Sequence, residues 1–163
     1  MDRAVTAAPE GRTRGSVSVE VAVLAPAFIV LMVLAGMTGR VAVADEAVEA
    51  AAHDAARAAS IARDAGSADR AARDAARRRL DWRGLNCASA PRVALWGSTR
   101  TASKVSLSAA YRQPLGEPVS IWVQVSCTVS LNDIRFPGLA ASGGTRNVEA
   151  SFASPLDSYR SRR

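Results

Sequence analysis

The sequence predicts an α+β protein in which a long N-terminal helix crosses a membrane and continues as a stalk, followed by a short second helix and a four-stranded antiparallel sheet. Three observations lead to this fold class. Residues 21–39 carry no charge, and about 20 apolar residues are enough for a helix to cross a bilayer. The next segment is rich in alanine with helical spacing, and from residue 92 the apolar period changes from 3.6 to 2.

The chain begins with a polar, arginine-containing stretch, residues 1–15, which we interpret as a short cytoplasmic leader because flanking positive charge favours the cytoplasmic side. Residues 16–43 form the predicted transmembrane helix. Pro26 lies inside it, lacks a backbone N–H and is expected to kink or loosen the helix. A membrane helix tolerates such a proline when neighbouring groups satisfy the freed carbonyl.

Small residues occupy the end of this apolar segment. Ala35, Gly36 and Gly39 give a small-xxx-small spacing, which permits close approach of another helix. A plain membrane anchor in which these residues have no packing role fits the same pattern.

Residues 44–83 are predicted to hold an alanine-rich stalk helix and the second helix. Apolar side chains at i+3, i+4 and i+7 spacing mark one narrow face of the stalk: Val41, Val48, Ala52, Ala55, Ala59 and Ala62. Gly66-Ser67 is predicted to end the stalk, with Ser67 as the N-cap of a second helix from about Ala68 to Trp82.

Residues 84–155 are predicted to form an extracytoplasmic β-sheet module. Alternating apolar and polar side chains predict four strands, near residues 93–96, 105–111, 119–131 and 148–152. The third is the clearest, because every second residue from Val119 to Leu131 is apolar. Glycines and a proline predict a long loop at residues 132–145, and residues 156–163 form a basic tail.

The two cysteines predict a disulfide. Cys87 follows the second helix, and Cys127 lies on the apolar face of the third strand. An even pair in an exported domain favours a bond that ties the helix to the sheet. Two buried free thiols are the alternative.

Composition argues against several classes of function. The charge of +6 is scattered, with no recognised nucleic-acid reader motif. His53, the only histidine, lies beside Asp54 in an alanine-rich helix without partners at ligand spacing, so we expect no metal site. The sequence contains no nucleophile–base constellation, phosphate loop or paired carboxylates in a plausible pocket, so we expect neither catalytic residues nor a cofactor.

The start of the apolar segment carries a recognisable pattern. Gly15 is followed by Ser16-Val17-Ser18-Val19-Glu20-Val21-Ala22, Pro26 comes six residues after Glu20, and the segment closes on Gly36, Gly39 and Arg40. This pattern resembles the TadE-like, or TadE/TadG-like, pilus assembly proteins of the tight-adherence (Flp pilus) system. Thr38 stands where that family often has an acidic or aromatic residue. Residues 147–160 also resemble the tail of actinobacterial members.

The resemblance implies a pilin-like fold and a minor pilin or pseudopilin. A prepilin peptidase would cut after Gly15, and Ser16 would become the new N-terminus. Glu20 would then pair with the N-terminal ammonium of a neighbouring subunit, since a paired charge is tolerated in an apolar bundle and an isolated one is not. The implied partners are that peptidase, other pilin subunits, inner-membrane platform proteins and the membrane. The implied topology is single-pass, with a cytoplasmic N-terminus and an extracytoplasmic sheet.

Two other interpretations stay open at this stage. Ala42-Val43-Ala44 before Asp45 is an A-x-A cleavage site, which would make the protein a secreted one with an ordinary signal peptide. Glu20, Arg40 and the length of the apolar run argue against that cleavage. Alternatively, an uncleaved single-pass anchor carries an extracytoplasmic binding domain.

Overall fold

The computed structural model describes residues 14–82, 87–134, 143–157 and 159. The helices are α1 (Arg14–Ile61), α2 (Ala65–Trp82) and α3 (Leu107–Tyr111), and the strands are β1 (Arg92–Ser98), β2 (Ser120–Ser130) and β3 (Thr145–Pro155), with a 3-10 turn at Asn132–Ile134. The predicted long helix, short second helix and antiparallel sheet are therefore confirmed. Most of the predicted leader, part of the predicted long loop and most of the basic tail lie outside the described residues.

Helix α1 runs for 48 residues without a break. At a rise of 1.5 Å per residue it is about 70 Å long. Pro26 lies inside it and does not end it. The predicted continuation of the apolar helix into the stalk is thus a single element, and its C-terminal half packs against the remaining elements. We call residues 44–157 the head.

The turn between α1 and α2 differs from the prediction. Helix α2 begins at Ala65 rather than near Ala68, because its N-cap residue is Asp64 and not Ser67. Asp64 accepts hydrogen bonds from the backbone N–H of Ser67 at 2.8 Å and from its hydroxyl at 2.7 Å. These bonds, that of the hydroxyl first, hold the pKa of Asp64 below its ordinary value.

The sheet has three strands in the order β1-β2-β3, all antiparallel, with β2 in the centre. The register places Trp122 of β2 between Trp96 of β1 and Ala153 of β3. Alternate residues of β2 are buried along its whole length, as its alternating sequence predicts.

The predicted strand at residues 105–111 is wrong. Only Val105 pairs, in a single bridge with Gly97, and the chain then turns into α3. The Ser106 side chain caps α3 by accepting from the N–H of Ala109 at 3.2 Å. The alternation of apolar residues here coincides with a short helix whose buried residues, Ala110 and Tyr111, are adjacent.

Contacts with β1 and α1 hold α3 in place. A Cβ added at Gly97 would lie 2.3 Å from the Cβ of Ala110, so β1 needs a glycine where α3 packs on it. The Tyr111 hydroxyl donates to the Ala59 carbonyl of α1 at 2.6 Å. The sheet therefore has three strands because α3 bridges β1 to α1.

The core lies between the helices and one face of the sheet. Seven of its residues are alanines of α1 with at most 1% exposure: Ala44, Ala47, Ala51, Ala52, Ala55, Ala56 and Ala59. They meet alanines of α2 (Ala68, Ala72 and Ala76) and the apolar residues of β2 (Ile121, Val123, Val125, Cys127 and Val129). This buried face is wider than the narrow stripe predicted, since the helix is covered from two sides.

Cys87 and Cys127 are paired at disulfide distance, with their Cα atoms 5.5 Å apart. Cys87 also forms a β-bridge with Val129, and the N–H of Ala88 donates to the Thr128 carbonyl at 2.7 Å. The pairing thus joins the segment after α2 to the central strand, as predicted.

We expect replacement of both cysteines, Cys87→Ser with Cys127→Ser, to lower the free energy of unfolding of the head by about 4 kcal/mol. The reason is that the bond closes a loop of 40 residues, and opening it restores entropy to the unfolded chain. Urea unfolding of the full chain in detergent, with and without reductant, measures the change. Reductant should shift the wild-type midpoint and leave that of the double variant unmoved; an unshifted wild type would contradict the bond.

Candidate functional site

The N-terminal half of α1 presents an apolar surface that the head does not cover. Large side chains all along it are exposed: Val19, Val21, Val23, Leu24, Phe28, Leu31, Met32 and Leu34, with exposures from 49% for Leu34 to 70% for Val23. A surface of this size and polarity is unfavourable in water. Helix α1 is long and apolar enough to be a single membrane span.

Glu20 lies near the start of this apolar surface. Its side chain is exposed, and none of the described residues forms an ion pair with it. Gly15 and Ser16 belong to the first turn of α1, of which only the backbone is described. The rise of an α-helix separates Gly15 from Glu20 by about 7.5 Å along the axis. The structure thus places the carboxylate within two turns of the helix start.

Ala35, Gly36 and Gly39 are exposed in the last turns before the head. Among the described residues, a Cβ added at Gly36 or Gly39 would meet nothing within 4 Å, so no contact seen there requires glycine. The Thr38 hydroxyl donates to the Leu34 carbonyl at 3.0 Å and to the Ala35 carbonyl at 3.1 Å, which directs this polar group back onto its own helix. The helix surface here has only short side chains, so another helix can approach it closely.

The junction between the apolar half of α1 and the head is marked by an ion pair between Arg40 and Asp133. Asp133 belongs to the 3-10 turn that follows β2. The hydrogen bond from Arg40 holds the pKa of Asp133 below its ordinary value. Val41 is partly buried against the core, and Ala44 is fully buried. Contacts between α1 and the rest of the head therefore begin directly after the uncharged segment ends.

Sequence reasoning missed this ion pair because it assigned Asp133 to a long loop. The available signal was Arg40 itself, a charge at the edge of the predicted membrane segment that needs a partner or water. Its partner is 93 residues away in the chain, and no periodic pattern indicates such a contact.

Several polar side chains of α1 and α2 contact one another. His53 Nδ1 lies 3.4 Å from Asp54 Oδ1, and its ring meets that of Phe152 edge-on with centroids 4.5 Å apart. Arg79 Nε lies 3.4 Å from Asp54 Oδ2. A groove of about 760 Å³ between α1 and α2 is lined by charges of both signs, from Asp54, Arg57, Arg78, Arg79 and Asp81. Within the described ranges, no three His, Cys, Asp or Glu side chains cluster as metal ligands would.

These features define a class of protein: an α+β head carried on one apolar helix that is long enough to be a single membrane span. Residues 15–57 match the family model described as TadE-like protein, which is consistent with a TadE-like protein of the tight-adherence system. The matched segment begins at Gly15, contains Glu20 and Pro26, and ends in the part of α1 that packs on the head. No curated protein and no solved structure matched the chain.

We expect Arg40→Ala and Asp133→Asn each to speed amide hydrogen exchange in the turn at Asn132–Ile134, because each removes the ion pair that holds this turn against α1. The double variant should exchange no faster than either single variant, since all three variants lose the same ion pair. Lys104→Ala, a charge change away from the junction, is the control. Additive effects in the double variant would contradict a direct pairing.

The pairing should also depend on pH. A lowered pKa of Asp133 in the folded chain means that the stabilising contribution is present above the ordinary aspartate pKa and is lost as pH falls through the folded value. The protection factor of the turn amides, which corrects the observed exchange rate for the fall of the intrinsic rate with pH, should therefore decrease on acidification in the wild type and not in Asp133→Asn.

Proposed function

We propose that this protein is a minor pilin or pseudopilin-like component of a Flp-type (tight-adherence) pilus or a related secretion apparatus. One observation carries the proposal. The segment that matches the TadE-like family begins in the first turn of α1 and includes its uncovered apolar half. The family suggests a component associated with the Tad pilus, and an exposed apolar helix is the part of such a component that enters a membrane or a helix bundle.

In this proposal a prepilin peptidase cuts after Gly15 and leaves Ser16 as the N-terminus. The new ammonium group and Glu20 then lie within two turns of each other on the same helix. In a bundle of such helices, the carboxylate of one subunit meets the ammonium of its neighbour. Their pairing offsets the cost of burying either charge and fixes the axial position of the two helices.

The small residues would set how closely these helices pack. A Cβ at Gly36 or Gly39 would meet nothing within 4 Å among the described residues, so a partner helix is the feature that would use their small size. Pro26 frees a carbonyl inside the bundle, where a neighbouring helix can supply a donor. Other pilin or pseudopilin subunits are therefore the proposed partners of α1, and platform proteins of the inner membrane are further partners.

The proposed location is the cell membrane, with a single pass, a cytoplasmic N-terminus and an extracytoplasmic head. The role is structural, so the proposal includes no catalysis, no cofactor, no metal and no nucleic acid. The paired cysteines support an extracytoplasmic head, because disulfides persist in oxidising compartments.

A second candidate is a secreted protein cut after Ala44 by a signal peptidase, which the tripeptide Ala42-Val43-Ala44 favours. Three contacts of the head belong to residues that this cut would remove: the ion pair of Arg40, the partly buried Val41 and the fully buried Ala44. These contacts support retention of the whole helix.

The intact mass of the mature protein, purified from the membrane of its natural host or of a host with the matching peptidase, tests the proposal. We expect a chain that begins at Ser16. A start at Asp45 would establish the secreted alternative, because Glu20 and the apolar helix would be gone. An intact N-terminus ahead of Gly15 would indicate a simple anchor. Gly15→Leu is the control, since it should block removal of the leader and leave membrane insertion unchanged.

Glu20→Ala should leave membrane insertion intact and reduce incorporation into a pilus complex by at least about tenfold, the loss expected when one of two paired charges in an apolar bundle has no partner. Co-purification with other pilus components measures it. Glu49→Ala is the matched control, because Glu49 is an exposed carboxylate of the same helix outside the apolar half. Unchanged co-purification of Glu20→Ala would exclude ammonium pairing.

A further inference from the structure

The sheet has two faces with different surroundings. Helices α1, α2 and α3 cover one face, and the buried residues of β2 point towards them. The other face, which we call the open face, has no described element packed across it. The strand register assigns to it Arg92, Ala94, Trp96 and Ser98 of β1; Ser120, Trp122, Gln124, Ser126, Thr128 and Ser130 of β2; and Thr145, Asn147, Glu149, Ser151, Ala153 and Pro155 of β3.

The open face is unusual in composition. Most of its side chains are hydroxyls or amides, which both donate and accept hydrogen bonds. Its strands carry two charges of opposite sign, Arg92 and Glu149, which flank Ser126 from the two outer strands. Lys104, which lies over the ring of Trp96, adds a third charge. Two positive groups and one negative group leave the face with a net charge of +1, although the whole chain carries +6. Its side chains of the central strand are half-buried, so they form a continuous layer.

A pair of tryptophans is the one large apolar feature of this face. Trp96 and Trp122 are directly opposite each other, with ring planes within 3° of parallel and centroids 6.2 Å apart. Lys104 Nζ lies 4.9 Å from the centroid of Trp96. Trp122 Nε1 donates to the Ser98 hydroxyl at 3.1 Å. On the side of β3, the neighbour of Trp122 is Ala153, whose methyl group is too short to cover an indole.

We infer that the open face binds a neutral polysaccharide chain, with Trp122 as its main stacking residue. A pyranose ring has an apolar face of C–H groups that packs on an indole and a rim of hydroxyls that pair with side chains such as Gln124 and Ser151. These two residues lie opposite each other, one step along the strands from the tryptophan pair. A sugar stacked on Trp122 would lie above Ala153, which is partly exposed.

The shape and charge of the face favour this ligand over others. The centre of an obligate protein interface is more apolar than two tryptophans among hydroxyls. An anionic polymer would need a large excess of positive charge, whereas Arg92 and Lys104 against Glu149 leave an excess of one. Strand β2 has 11 residues, so its row of outward side chains is more than about 30 Å long. That length suits a chain of sugars rather than a single one.

A cross-strand tryptophan pair also stabilises a sheet without any ligand, and the experiment separates the two roles. Full-length protein in detergent is sedimented with insoluble chitin, a polymer of N-acetylglucosamine, and separately with insoluble cellulose, a polymer of glucose. We expect binding to at least one, and the preferred polymer identifies the sugar class. Soluble oligosaccharides of that class should compete and should shift the tryptophan fluorescence of a Trp82→Phe variant.

Trp122→Ala should weaken binding by about tenfold or more, the effect of losing one aromatic stacking surface. Gln124→Ala and Ser151→Ala should weaken it less, and both leave the tryptophan pair in place, so they test the site if Trp122→Ala fails to fold. Tyr159→Ala is the matched control, because Tyr159 is a 93% exposed aromatic residue outside the sheet. Circular dichroism checks the fold of each variant.

Three results would overturn the inference: no binding to either polymer, equal binding by wild type and all three open-face variants, or binding only to acidic polysaccharides that salt abolishes. None of these depends on where the N-terminus is processed. Failure here is therefore distinguishable from failure of the proposed pilus role.

Discussion

The contact between the alanine face of α1 and the elements around it determines the arrangement of the head. Because its side chains are single methyl groups, α2 approaches on one side and strands β2 and β3 on the other. Small side chains contribute little apolar area each, so stability depends on many close contacts and on links between distant segments. The Cys87–Cys127 pair, the Tyr111–Ala59 hydrogen bond and the Ser154–Ser60 hydrogen bond at 2.9 Å are three such links.

The same helix has two different environments along its length. From Val19 to Gly39 its surface, apart from Glu20, is mainly apolar and uncovered by the head, and from Ala44 it is part of a packed core. The transition takes about one turn, and Arg40 at its edge is neutralised by Asp133. Because α1 is continuous from Arg14 to Ile61, the direction of its apolar half also fixes the orientation of the sheet.

Sequence periodicity was sufficient for the long helix and the central strand, because each has a regular pattern that one environment explains. It failed at residues 105–111, where the spacing of Val105, Leu107, Ala109 and Tyr111 satisfied the strand pattern. The segment instead forms a helix, which the Ser106 cap and the contacts of Ala110 with Gly97 and of Tyr111 with Ala59 stabilise. It also missed Arg40–Asp133 and the tryptophan pair, which depend on strand register and on contacts between distant segments rather than on local order.

Helix α1 and the open face lie on opposite sides of the sheet, and this geometry has a consequence for any assembly. If several copies gathered with their apolar helices at a common centre and the uncovered side of each helix facing that centre, each sheet would lie outside its own helix. The tryptophan-bearing side then points radially away from the axis, and the helix-covered side points inward. Repeated copies would present an array of identical hydroxyl-rich surfaces around the rim, so weak individual contacts would add through multivalency.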